Sequence, residues 1–291
     1  MNRKMTRAQR WRVSRRLIYG IAFLCLLFLS AIAQRTYAQS AMDTTTPKEG
    51  TVPPGTIPIS TTLYLPLVSA MPGLANPVVF QAVPVQGPPV DRPAAINGDL
   101  NLSLRSYITT TAALTLVNIN GPIDPDAPQL DGLFNPPRLP IFTAAYRVYD
   151  WNWSCSANGC PGAPLTEPPV TLLEMAVTPG EPIRIPTRNA PIFNGDYKAL
   201  VLYAEERRIT LAYTREDTPA IGYVVHLEDV SVDPALLTLY TQLNAAGRSQ
   251  LPALHNAETL GFAAGNTIKV AIRDTGSFMD PRSRKDWWNV H

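Results

Sequence analysis

Thr267-Ile268-Lys269-Val270-Ala271-Ile272-Arg273-Asp274-Thr275-Gly276-Ser277-Phe278-Met279-Asp280-Pro281 carries a β-type run, residues 267–272, into a glycine turn and an Asp-Pro stop. Runs of the same kind precede it at residues 113–119, closed by Asn120-Gly121, and at 142–149, 170–177, 182–185, 199–203, 209–213 and 222–227; residues 100–104 alternate. They recur roughly every 10 to 15 residues with Pro or Gly between them, the spacing of an all-β domain. Only residues 234–243 have helical composition, with Asp233 as N-cap. The expected fold is mainly β: a β-sandwich-like region over residues 96–180, a soft boundary near Pro179-Gly180, and a barrel-like hybrid β domain with one short helix over residues 181–291. No flexible linker marks that boundary, so one continuous sheet system fits the same pattern.

Upstream lies a different kind of sequence. Arg3, Lys4, Arg7, Arg10, Arg12, Arg15 and Arg16 precede an apolar run over residues 17–33, the layout of an export signal. Cleavage is expected after Ala38 (Thr-Tyr-Ala), with Ala33 (Ala-Ile-Ala) as the other small-x-small site. The run of about 17 residues is also at the lower limit for a membrane span, so an uncleaved anchor is the alternative, and the only membrane contact expected. Cys25 has no small-residue lipobox before it. Residues 39–95 are rich in Pro, Thr and Gly and read as an extended linker, in which Leu63-Tyr64-Leu65-Pro66-Leu67-Val68 is apolar enough for a short edge strand.

Without residues 1–38 the chain keeps 17 basic against 23 acidic residues, a net charge of −6. It has no basic block and no electrostatic footprint for nucleic acid. Export to an oxidising compartment makes Cys155 and Cys160, on either side of Asn158-Gly159, a disulfide closing a short loop.

Several segments, in order, carry a resemblance: Ala190-Pro191-Ile192-Phe193, Ala199-Leu200-Val201-Leu202-Tyr203, Gly222-Tyr223-Val224-Val225-His226-Leu227, Thr238-Leu239-Tyr240-Thr241-Gln242-Leu243, Glu258-Thr259-Leu260-Gly261, and Ile272-Arg273-Asp274 with Asp280-Pro281. Over about a third of the chain this resembles the lysostaphin-like zinc endopeptidases, peptidoglycan metallopeptidases with a β core related to biotinyl and lipoyl carriers. The resemblance implies a strand at residues 238–243, a turn at 258–261, and zinc held by an early His-x-x-x-Asp and the second His of a late His-x-His. It also implies a strand histidine that assists proton transfer. Here Gln242 stands at the strand histidine, Thr267 and Lys269 stand at the late pair, and an ammonium has no lone pair for a cation. The chain contains only His226, His255 and His291. His226, among apolar neighbours, reads as a hydrogen-bonded core residue. The resemblance thus implies the fold with the reaction removed: no metal site and no cofactor.

Other chemistry finds little footing. Ser154, Ser231, Ser249 and Ser277 lie in no Gly-x-Ser-x-Gly elbow. The pairs Glu228/Asp229 and Asp274/Asp280 read as turn and ion-pair residues, the latter in a lattice with Arg273, Arg282 and Arg284. Phe278, Met279, Arg282, Arg284, Lys285, Asp286, Trp287 and Trp288 have the composition of a binding surface. The other reading is that the tryptophans fold back and seal the end of the domain. The candidate binding residues are Tyr240, Gln242, Lys269, Arg273, Asp274, Arg282, Trp287 and Trp288. The expected protein is a secreted or cell-envelope module, binding or structural, with peptidoglycan, another envelope glycan or a protein as partner. An active cell-wall endopeptidase or other hydrolase is the alternative, and a purely structural domain on a Pro-rich stalk is the third reading.

Overall fold

The computed structural model describes residues 79–291. The leader, its cleavage sites and the 63–68 segment lie outside the described residues. The strands are β1 (Gln81–Pro84), β2 (Tyr107–Thr109), β3 (Phe142–Asn152), β4 (Cys160–Pro164), β5 (Leu172–Ala176), β6 (Pro182–Arg184) and β7 (Ala199–Glu205). They continue as β8 (Arg208–Ala212), β9 (Tyr223–Glu228), β10 (Val230–Val232), β11 (Gln250–Leu254), β12 (Thr259–Ala263), β13 (Thr267–Asp274) and β14 (Ser277–Met279). Two α-helices, α1 (Pro234–Ala245) and α2 (Arg284–Trp287), and three short 3-10 helices complete the inventory among the described residues.

The segment quoted at the outset is an interior strand. β13 pairs antiparallel with β9, from Lys269↔Glu228 to Asp274↔Tyr223, and on its other side with β5, from Thr267↔Ala176 to Val270↔Leu173. Ile268, Val270, Ala271 and Ile272 are fully buried. Thr275 and Gly276, both at positive φ, make the tight turn into β14, as a two-residue hairpin requires. The main sheet has 11 strands in the order β1-β11-β7-β8-β9-β13-β5-β3-β2, with β14 beside β13 and β4 beside β3. A second sheet, β10-β12-β6, has three. Burial in β7 and β9 is continuous rather than alternating, as for strands covered on both faces. Part of that cover is α1, which packs on β7 and β11. Asp233 caps the helix, its Oδ1 accepting from the Ala235 and Leu236 amides, and Pro234 opens it.

The mainly β architecture and the Cys155–Cys160 disulfide are present. No closed barrel forms among the described residues, because β1 and β2, four and three residues long, end the sheet without pairing to each other. The sheet also runs unbroken across Pro179-Gly180, since β5 lies between β13 and β3.

Five local expectations are corrected. Residues 100–104 contain the 3-10 turn Leu102–Leu104 instead of a strand, because the Asn101 side chain accepts from the Ser103 amide and closes the chain on itself. Residues 113–119 join no strand; they are tied to the C-terminal segment through Val117 N to Arg282 O and Arg284 N to Val117 O. Thr238 to Leu243, matched above to a strand, are helical, with Leu236 and Tyr240 one turn apart on the buried face. The linker expected through residue 95 enters the fold by Phe80: Phe80 and Val83 are buried and β1 pairs with β11. Pro84, Pro88 and Pro89 do not prevent this, because an edge strand has amides to spare. Likewise Thr259 to Gly261, expected as part of a turn, begin β12.

Candidate functional site

Most of the sequence-nominated binding residues serve the interior. Trp287 and Trp288 are buried, their indole N–H groups donating to Asp280 O (2.8 Å) and Pro281 O (2.9 Å). They pack against Tyr223 and Phe142, at ring separations of 5.7 and 5.8 Å. Both rings are at most 1% exposed, and Trp287 still reaches the lining of a surface recess. Arg282 forks onto Asp280 (2.9 and 2.7 Å) and donates to Ala113 O. Lys269 bridges Asp229 and, at 3.5 Å, Glu174. Burial, the largest single influence, pulls its pKa down, but the hydrogen bond and charge of Asp229, with Tyr107 and Glu174, together leave it above the ordinary value. Tyr240 is buried against Arg248 and Leu202 O, whereas Gln242 is exposed on α1. Asp274 is half-buried, accepts from Thr275 Oγ1, and lines a recess of ≈ 320 Å³ with Asp124, Tyr223 and Lys285. Of these eight residues, Asp274 and Trp287 share that recess.

Arg273 belongs to a buried charge cluster. Its guanidinium donates twice to Gly276 O (2.9 and 2.6 Å) and to Asp99 Oδ1 (2.9 Å), and Arg105 reaches the same carboxylate. Both cations lie over the Phe278 ring, at 5.0 and 5.3 Å. Burial, and then the neighbouring Arg273, push the Arg105 pKa down to about 10. Close by, His226 stacks on Phe278 at 6.3 Å. Thr210 Oγ1 spends its hydrogen on Leu100 O (2.7 Å), so at 2.9 Å it accepts from His226 Nδ1–H. That fixes the tautomer and leaves Nε2 without a hydrogen-bond partner among the described residues. Burial, Arg273 and Arg105 hold the imidazole neutral, with its pKa well below the ordinary value. His255 stacks on Tyr197 at 4.2 Å and His291 lies 3.5 Å from Asp131. Among the described residues, no three His, Cys, Asp or Glu side chains converge as metal ligands would.

An open site lies where Asp99 reaches the surface. Segments 86–92, 97–99 and 216–221 and the tip of the β3–β4 hairpin enclose a cleft of ≈ 510 Å³. Its exposed aromatic is Trp153, 37% accessible. The sequence fixes that ring closely. Asn152 Oδ1 accepts from the Ser154 amide and Ser156 Oγ donates to Gly159 O, shaping the turn that the disulfide closes. Behind it Trp151 meets the edge of Trp153 at 6.0 Å and fits against Gly98 and Gly159, where a Cβ would come within 2.4 and 2.3 Å of its ring. Arg92 lies over Trp153 at 4.6 Å and pairs with Asp91 at 2.6 Å. Deeper, Arg248 grips Asp217 through two bonds of 2.7 and 2.6 Å, and Asp217 accepts from the Val90 amide. Pro88, Pro89, Pro219 and half-exposed Ile221 supply apolar wall.

Compared with known proteins, the chain matches no family model, no curated protein and no solved structure. The cleft escaped sequence reading because its walls are far apart along the chain. One local signal existed: Trp151-Asn152-Trp153-Ser154-Cys155 puts a second tryptophan at a hairpin tip, where only one of the two can be covered.

Proposed function

We propose that this protein is an exported, non-catalytic module of the cell envelope that holds a glycan in the Trp153 cleft. The observation that carries the reading is an exposed indole, braced by a disulfide-closed turn and Arg92, at the mouth of a cleft with apolar and hydrogen-bonding walls. Pyranose rings present C–H faces to an aromatic plane and hydroxyls to surrounding carboxylates, so this mixture suits a saccharide. Peptidoglycan is the envelope glycan proposed. The same reading takes the C-terminal half as a lysostaphin-like scaffold that has lost its zinc ligands. In its support, Lys269 at the place of a ligand is committed to Asp229 and Glu174.

Co-sedimentation of the exported chain with insoluble peptidoglycan tests the proposal. Retention that falls about tenfold in Trp153→Ala, equivalent to about 1.4 kcal/mol, and recovers in Trp153→Phe supports it. Retention indifferent to Trp153, or none at all, rejects it.

A further inference from the structure

Resting on the glycan reading, the charges of the cleft identify the class of sugar. Its walls carry Asp91, Arg92, Asp99, Glu216 and Asp217. Asp91 is paired with Arg92, Asp99 with Arg105 and Arg273, and Asp217 with Arg248. Arg92, the one cation among the lining residues, is spent on Asp91 and the Trp153 face. Glu216 is different: its carboxylate has no ion pair or hydrogen bond among the described residues. Its backbone is nonetheless placed, in a parallel bridge with Gln86 whose amide donates to Arg215 O at 2.8 Å. The cleft therefore offers a half-buried carboxylate on a placed backbone, in the same cleft as an exposed indole, and its one cation is already paired. A polyanionic glycan meets repulsion and an N-acetylated one meets a neutral fit. A protonated amine gains Glu216 as a charged acceptor and the indole as a cation–π neighbour.

We propose that, among envelope glycans, the cleft prefers those whose amino sugars carry free ammonium groups, partly de-N-acetylated peptidoglycan included, over fully N-acetylated or purely acidic ones. The test uses the exported chain with glucosamine oligomers, N-acetylglucosamine oligomers of the same length and polygalacturonate, at a pH where the sugar amine is protonated. The glucosamine oligomer is expected to bind about fivefold more tightly than its N-acetylated counterpart, the size of a partly exposed ion pair. Added salt narrows the preference, and Glu216→Gln removes it. Equal or weaker binding of the glucosamine oligomer overturns the proposal, as does a preference that survives Glu216→Gln. The salt dependence needs no variant and decides the matter if that substitution disturbs folding. Trp153-dependent binding of the N-acetylated oligomer without amine preference leaves the glycan reading standing and removes only this inference. Failure of all three saccharides to bind removes both.

Discussion

At the scale of single residues, His226 shows how position converts a catalytic residue type into a structural one. Its Nδ1–H is committed to Thr210, and two guanidiniums oppose a second proton. The folded chain thus binds fewer protons here than the unfolded chain. Stability is unaffected well above the unfolded pKa of about 6.5 and falls as pH drops below it, by at most about 1.4 kcal/mol per pH unit. His226→Asn keeps a donor for Thr210 and does not titrate. Thermal unfolding from pH 7.5 to 5 is therefore expected to show a smaller acid loss in the variant; identical losses would mean that His226 is not held neutral. The apolar neighbours of this histidine already marked it as a core residue. Nothing local in the sequence foretold that Trp287 and Trp288 would be buried and Trp153 exposed. That allocation depends on Phe142, Tyr223 and Gly98, each far away along the chain.

At the scale of elements, the β runs were legible wherever apolar residues cluster between Pro and Gly, as in β7, β9 and β13. They were misread where a side chain competes for the backbone, as Asn101 does, or where apolar residues pack without a pairing partner, as over 113–119. The helix was legible from its cap, and Asp233→Ala is expected to cost about 1 kcal/mol in chemical denaturation, the usual loss when an N-cap is removed. No loss would mean that tertiary packing alone holds α1. The β3–β4 hairpin ties stability to binding. Replacing Cys155 and Cys160 by Ser opens only a short loop, so the stability loss is limited to about 2 kcal/mol on the chain-entropy account. Since the turn carries Trp153, glycan affinity should fall about threefold as the indole gains freedom to move. Unchanged affinity would show that Trp151 and Arg92 position the ring without the disulfide.

Across the whole molecule, spacing and composition reveal the β class, yet they are silent on closure, because whether β1 meets β2 is a property of the assembled sheet. The same limit hid the cleft, whose walls come together only once the sheet is formed. The net −6 of residues 39–291 agrees with a cleft whose free charge is negative. The central claim is that an exposed tryptophan, and not the C-terminal pair, meets the ligand. The most direct measurement follows the indole N–H resonances while soluble peptidoglycan fragments are added to the protein. The Trp153 signal should shift first and saturably, with Trp151 following and Trp287 and Trp288 unmoved. Leading shifts at Trp287 or Trp288, or no shift at Trp153 while binding is seen by other means, would contradict the account.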